Sequence, residues 1–270
     1  MTAPLVDVRT AGAVRTLTLD SPHNRNALSA ALLDQLAEGL HTAVADDAVR
    51  VIVLTGTGPV FCSGADLSEA VDGGTGPPGG PSRMPEVLTA ITSARVPVIA
   101  RVNGHARAGG LGLIAAADRA VAPAASTFAY REVRVGVAPA MVLVPTLPLV
   151  DRRFLSRATL TGETFTAAEA ARAGLLTDVV SAEVTGDHSG DPASALDAWV
   201  RVAVTSLLAG APGALAATKH LLATLPAAPT FADGLAAAAA RSAELFAGAE
   251  AAEGMAAFLQ KRPPGWVAVP

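Results

Sequence analysis

Apolar residues in this chain fall into short blocks of two kinds, and the two kinds take turns. Val14–Leu19 (VRTLTL) alternates and predicts a strand. Residues 50–56 (RVIVLTG), 96–102 (VPVIARV), 118–122 (DRAVA) and Asp178–Val180 (DVV) are near-continuous apolar runs, the pattern of strands buried on both faces. Between them the spacing becomes helical. Over Ala30–Ala45, Leu32, Leu33, Leu36, Leu40 and Val44 share one face, and Ser29 stands where an N-cap belongs. A second apolar helix is predicted over 111–117. Strand–helix–strand alternation predicts an α/β fold with crossover connections.

Two stretches interrupt the pattern. Residues 72–85 (DGGTGPPGGPSRMP) concentrate Gly and Pro and predict a mobile surface loop or lid. Residues 183–193 (EVTGDHSGDPA) resemble it and mark a candidate boundary. Beyond it lie helix formers, broken by Pro212, Pro226 and Pro229 into three or so helices. Their faces are too apolar to stand in water, so the tail is expected to pack on the body and on neighbouring subunits. No internal repeat is evident.

Composition narrows the function classes. The chain has 270 residues, 51% of them hydrophobic and 16% charged, enough for a large core and too few charges for disorder. A net charge of −4 gives no general attraction to nucleic acid or to an anionic membrane. The longest Ala/Leu-rich run, 234–240, is bracketed by Asp233 and Arg241, so no membrane span is expected. The single cysteine, Cys62, forms no internal disulfide, and no His/Cys/Asp cluster suggests a metal. With an N-terminus lacking a charged and an apolar leader region, these features predict a cytoplasmic protein.

The candidate chemistry lies in two glycine-bearing turns. Phe61-Cys62-Ser63-Gly64-Ala65-Asp66-Leu67 follows one apolar run through a short loop, 57–60. Gly64 allows a sharp turn, and the Ala65 N–H is left free near a helix start, where an anion is favoured. The plainer reading is a strand-to-helix turn capped by Asp66. Asn103-Gly104-His105-Ala106-Arg107-Ala108-Gly109-Gly110-Leu111-Gly112 follows another run, and there the Gly109 N–H is free to meet a bound atom. Neither GxGxxG nor GxxxxGK[ST] is present, which disfavours a dinucleotide or P-loop site. Two N–H donors converging on one oxygen form an oxyanion hole.

With these turns in hand, the chain resembles the crotonase superfamily, the enoyl-CoA hydratase/isomerase family. The matching stretches are GTGPVFCSGADL (56–67), VPVIARVNGHARAGGLGL (96–113), STFAYREVRVGVAP (126–139), LTGETFTAAEAARAGLLTDVV (160–180) and EGMAAFLQKR (253–262). They stand in family order, and with PHNRNALS (22–29) they cover nearly the whole chain. The resemblance implies an α/β spiral of β-β-α turns over residues 1–190 and a helical trimerisation region over 191–270, assembled as a homotrimer or hexamer. It implies that Ala65 and Gly109 supply the oxyanion N–H groups and that the substrate is an acyl-CoA. Coenzyme A is then part of the substrate, and no separate cofactor is expected.

The resemblance also assigns the remaining site residues. The loop 23–27 with Arg25 and Ala27, the backbone of Ser63, Gly64, Asp66 and Leu67, and Gly110, Tyr130, Phe258 and Lys261 are expected to line the substrate. Of two family glutamates, one matches Glu132, while Gly112 stands at the other. Hydration of a 2-enoyl-CoA with Glu132 as acid/base is the leading reading. A Δ3,Δ2-enoyl-CoA isomerase using one carboxylate is the alternative, and a non-catalytic acyl-CoA-binding protein is the third. The acid that dienoyl-CoA isomerases carry after the GVAP stretch is absent, Ala140-Met141-Val142 standing there.

Other residues carry two readings each. Glu132 is a catalytic base or a strand-end glutamate paired to Arg131 or Arg134. His105 is expected to be structural and Cys62 a packed residue. Tyr130, the only tyrosine, either orients water or packs. Arg107 reads a carboxylate on the acyl chain if it faces the pocket, and does nothing if it faces solvent.

Overall fold

A computed structural model describes residues 4–71, 83–181 and 192–267. The chain opens with an antiparallel hairpin, β1 (Val6–Ala11) and β2 (Val14–Leu19), followed by α1 (Ala30–Ala45). Then come β3 (Val51–Gly56), β4 (Val60–Cys62), α2 (Ser68–Val71) and α3 (Met84–Ser93). The next unit is β5 (Val98–Arg101), β6 (His105–Arg107) and α4 (Gly109–Ala116). A third is β7 (Arg119–Pro123), β8 (Thr127–Ala129), a 3-10 turn Glu132–Val135, α5 (Ala140–Thr146) and α6 (Arg152–Thr161). The body closes with β9 (Phe165–Thr166), α7 (Ala167–Ala173) and β10 (Asp178–Val180).

The hairpin lies wholly in the larger of two sheets, and each later unit contributes one strand to each. The larger sheet runs β1-β2-β3-β5-β7-β10 and the smaller β4-β6-β8-β9. This is the spiral of β-β-α turns expected from the resemblance. The continuous apolar runs are explained by burial on both faces. Ile52 and Leu54 of β3 enter the main core with Leu32, Leu36 and Leu40 of α1. Val51 and Val53 face the other way, onto Ala203 and Trp199. Ser29 caps α1 as expected, its Oγ accepting the Leu32 N–H at 3.2 Å.

Four helices follow: α8 (Pro192–Leu208), α9 (Pro212–Thr224), α10 (Phe231–Phe246) and α11 (Ala249–Gln260). The prolines account for two of the breaks, and Gly248 makes the third as N-cap of α11. α8 packs on the larger sheet, whereas Phe231, Phe246 and Phe258 of α10 and α11 are exposed. Among the described residues no single helix is long and apolar enough to cross a membrane.

Three expectations need correction or fall outside. Most of the Gly/Pro-rich stretch, 72–82, lies outside the described residues, but Met84 and Pro85 open α3 instead of ending a loop. The expected boundary at 190/191 also lies outside them, and Pro192 begins α8. The two glycine turns are shorter than expected, because Val60–Cys62 and His105–Arg107 are strands.

Candidate active site

The smaller sheet explains how distant residues meet. β4, β6 and β8 are parallel neighbours, so the segments leaving their C-terminal ends emerge side by side. Those segments are Ser63–Leu67 after β4, Ala108–Gly110 after β6 and Tyr130–Glu132 after β8. Ligands of α/β sheets bind at such carboxyl ends.

The first two segments touch. A Cβ on Gly64, whose φ is +93°, would lie 2.8 Å from Ala108 Cβ. A Cβ on Gly110 would lie 2.8 Å from Cys62 Cβ and 3.1 Å from Cys62 O. Only glycine permits this approach. Ala108 takes φ +46° and ψ −120°, a strained conformation for a residue with a Cβ. Its N–H donates to Ala129 O at 3.0 Å, which ties the strained corner to β8. The glycine pair opens α4 instead of preceding it, so Gly109 is the first helical residue and its N–H faces away from the helix. Among the described residues neither the Ala65 N–H nor the Gly109 N–H has a hydrogen-bond acceptor.

The segment 24–28 laces onto the first turn. Ser63 N–H donates to Arg25 O, Ser63 Oγ–H to Asn24 O, and Leu28 N–H to Gly64 O. Arg25 and Asn26 take φ of +60° and +56°, which turns the backbone toward that edge. Ala27 is buried there, while the Arg25 side chain is exposed. Asp66 accepts from Ser68 N–H and Oγ–H and from Asn24 Nδ2–H, and these bonds hold its carboxyl below the usual range. That is the capping role anticipated for it. Leu67 is exposed beside it.

Glu132 is not part of a strand end. It begins the 3-10 turn Glu132–Val135, and its Oε2 is buried with no hydrogen-bond partner. The ion-pair alternative fails because both arginines are engaged elsewhere: Arg131 donates to Thr164 Oγ1 and Arg134 to Thr161 O. Burial pushes the Glu132 carboxyl above its ordinary range, with only its own backbone N–H opposing. Tyr130 is buried against Phe165, ring centroids 6.0 Å apart, and its Oη also lacks a partner at good geometry.

Gly112 faces an apolar wall. A Cβ there would meet Met84 Cε at 3.2 Å and Val142 Cγ2 at 3.5 Å, and both side chains are buried. Arg107 does not face an open pocket: it donates to Thr127 O and to Thr127 Oγ1. His105 accepts the Thr127 N–H through Nδ1 at 3.1 Å, so both residues brace β8. Cys62 is fully buried, its thiol pushed up to about 12 by burial, and acts as packing.

Phe258 and Lys261 are the expected residues that this chain does not bring to the turns. They end α11 exposed, with no hydrogen bond or ion pair to residues 24–28 or 63–66. Among the described residues no cluster of His, Cys, Asp or Glu could hold a metal ion. The Met84–Val142 wall and the Thr127 brace escaped sequence reasoning, since no local spacing links their members.

Comparison with known proteins fits this geometry. The enoyl-CoA hydratase/isomerase family profile matches residues 9–268. The chain is 33% identical over 256 residues to the 2,3-dehydroadipyl-CoA hydratase of Escherichia coli, covering 93% of this chain and 94% of that one. It is 38% identical over 183 residues to enoyl-CoA hydratase domain-containing protein 3, mitochondrial, of Danio rerio, of whose length it spans 62%. A solved enoyl-CoA hydratase of Mycobacterium smegmatis superposes with a TM-score of 0.86 at 33% identity, over 98% of this chain and 100% of that one. The spiral, the paired turns and these matches agree, and the chain belongs to the enoyl-CoA hydratase/isomerase family.

Proposed function

We propose that this chain hydrates a 2-enoyl-CoA thioester, with the Ala65 and Gly109 N–H groups holding the thioester oxygen and Glu132 carrying the proton. The observation that carries this reading is the buried, unpartnered Oε2 of Glu132 after β8, together with the free Ala65 and Gly109 N–H groups on the segments that leave the neighbouring strands β4 and β6. As water attacks C3, the π electrons move onto the thioester as an enolate, whose charge the two N–H groups stabilise. Glu132 takes a proton from the water and returns it to C2. A carboxyl raised by burial suits both halves of that transfer near neutral pH. The substrate brings its own coenzyme A, and no separate cofactor or metal enters this scheme. Arg107 is spent on Thr127, which supports an uncharged acyl chain. The reading is tested by following loss of the conjugated thioester with crotonyl-CoA, branched and dicarboxylic enoyl-CoAs. No turnover of any of them would sink it.

A second reading, Δ3,Δ2-enoyl-CoA isomerisation, is favoured by the apolar wall at Gly112. A shift of the double bond needs one base and no positioned water. Conversion of a 3-enoyl-CoA with no solvent oxygen entering the product would select it. Under either reading Gly112→Glu is expected to fail as a repair. The new carboxylate would be driven against Met84 and Val142, destabilising the fold by about 2–4 kcal/mol. Thermal denaturation and a hydratase assay of that variant check this, and a gain in turnover without loss of stability would contradict it.

The reading extends to assembly and place. The exposed Phe231, Phe246, Phe258 and Leu259 support a homotrimer or hexamer in which Lys261 and Phe258 meet a neighbouring subunit's substrate. Light scattering tests that. The partners are acyl-CoA and other copies of this chain, acting in the cytoplasm.

A further inference from the structure

Hydration with one carboxylate leaves a question of geometry: what holds the water while Glu132 takes its proton. Among the described residues, the side-chain atoms nearest to a Cβ on Gly112, Met84 Cε and Val142 Cγ2, are apolar. One helical turn beyond Val142 on α5 lies Thr146, fully buried, whose Oγ1–H donates to Val142 O at 2.6 Å. Burial raises the Tyr130 hydroxyl, Thr146 opposes this as a hydrogen-bonding neighbour, and the Glu132 charge adds to it. Tyr130 is 1% exposed; its Oη lies by Thr146 without a hydrogen bond of good geometry, and Glu132 Oε2, two residues on in sequence, is buried without a partner.

Two buried polar atoms without a well-formed hydrogen bond, two residues apart, are unusual in a folded chain. Buried polar groups find protein partners or ordered water in the great majority of cases. A buried phenol whose hydroxyl makes no hydrogen bond of good geometry is also a poor choice for packing alone, because phenylalanine fills the same space without the desolvation loss.

We propose that Tyr130 Oη and Glu132 Oε2 together hold the water that adds to C3, making Tyr130 the positioning residue that serves where the family's other glutamate is replaced by Gly112. This rests on the hydratase reading. Tyr130 donates its O–H to one lone pair of the water, and the water donates one O–H to Glu132. The second lone pair forms the bond to C3 while the C2–C3 π pair moves into the enolate. The proton passes to Glu132 and then to C2, and Tyr130 keeps its own proton throughout.

The test separates hydration from proton transfer alone. Exchange of the C2 protons of butyryl-CoA in heavy water needs Glu132 and the two N–H groups but no positioned water. Tyr130→Phe is expected to lower kcat for crotonyl-CoA hydration by about 100-fold, with KM nearly unchanged, and to leave C2 exchange within about 3-fold of the parent rate. Hydration at the parent rate overturns the proposal. Equal loss of both reactions also overturns it, because Tyr130 would then act only by supporting the fold. A parent protein that exchanges C2 protons yet hydrates nothing overturns the hydratase reading, and the proposal with it.

Discussion

Glu132→Gln is expected to lower turnover of the substrate by about 10³-fold while making the folded protein more stable at neutral pH. The two effects share one cause. Glu132 Oε2 is buried without a partner, and burial raises the carboxyl above its ordinary range. A carboxyl raised in the folded state stabilises the fold only while protonated. That contribution is fully present below the unfolded value of about 4.3 and is lost as pH rises through the raised folded value. At neutral pH the folded chain therefore resists an ionisation that the unfolded chain undergoes freely, a cost to stability that glutamine removes. Thermal melts at pH 7 and pH 4 check the sign: the variant should melt above the parent at pH 7, and the gap should narrow at pH 4. A variant equally active, or less stable than the parent at pH 7, contradicts the assignment. Such a trade of stability for activity is the mark of a functional carboxylate.

The long elements and the chemistry-bearing turns were legible in the sequence for different reasons. Ala30–Ala45 declared itself because four leucines repeat at helical spacing behind a serine cap, and its packing obeys that stripe. β3 and β5 showed as apolar runs because both faces of the larger sheet are covered. β4 and β6 did not show: each has three residues, and they form by pairing with each other and, for β6, with β8. Gly64 and Gly110 were singled out as substrate-lining residues, and the structure gives them a packing reason that is mutual: each makes room for the opposite segment. Glu132 was legible as a candidate and not as a free carboxylate. Its freedom depends on Thr161 and Thr164 drawing away the flanking arginines, contacts between residues far apart in the chain. The wall at Gly112 is a long-range fact of the same kind, joining α3, α4 and α5.

Lys219→Met is expected to destabilise the chain by about 3–5 kcal/mol, the effect of stranding one member of a buried ion pair. Lys219 lies on α9, is 8% exposed, and donates through Nζ to Asp118 Oδ2 at 2.7 Å, Ile91 O at 2.8 Å and Val96 O at 3.3 Å. Asp118 Oδ2 also accepts the Val98 N–H at 2.7 Å. One ammonium thus joins the helical region to the end of α3, the entry of β5 and the start of β7. Burial is the largest influence on both groups, lowering the lysine and raising the aspartate, so each depends on the other to remain charged. Without Lys219 the carboxylate is raised further. The variant's deficit should then shrink as pH falls toward the ordinary carboxylate range of about 4, where Asp118 takes up a proton. At neutral pH the melting temperature should fall by about 10 °C. Lys219→Met combined with Asp118→Asn should recover part of the loss, because the amide still accepts the Val98 N–H and carries no charge. A double variant no better than the single would show that the helical region depends on the three carbonyl and amide contacts alone. β5 leads directly to β6 and the Ala108 corner, so thermal loss of activity in the single variant should precede global melting, as the corner that positions the Gly109 N–H loosens first.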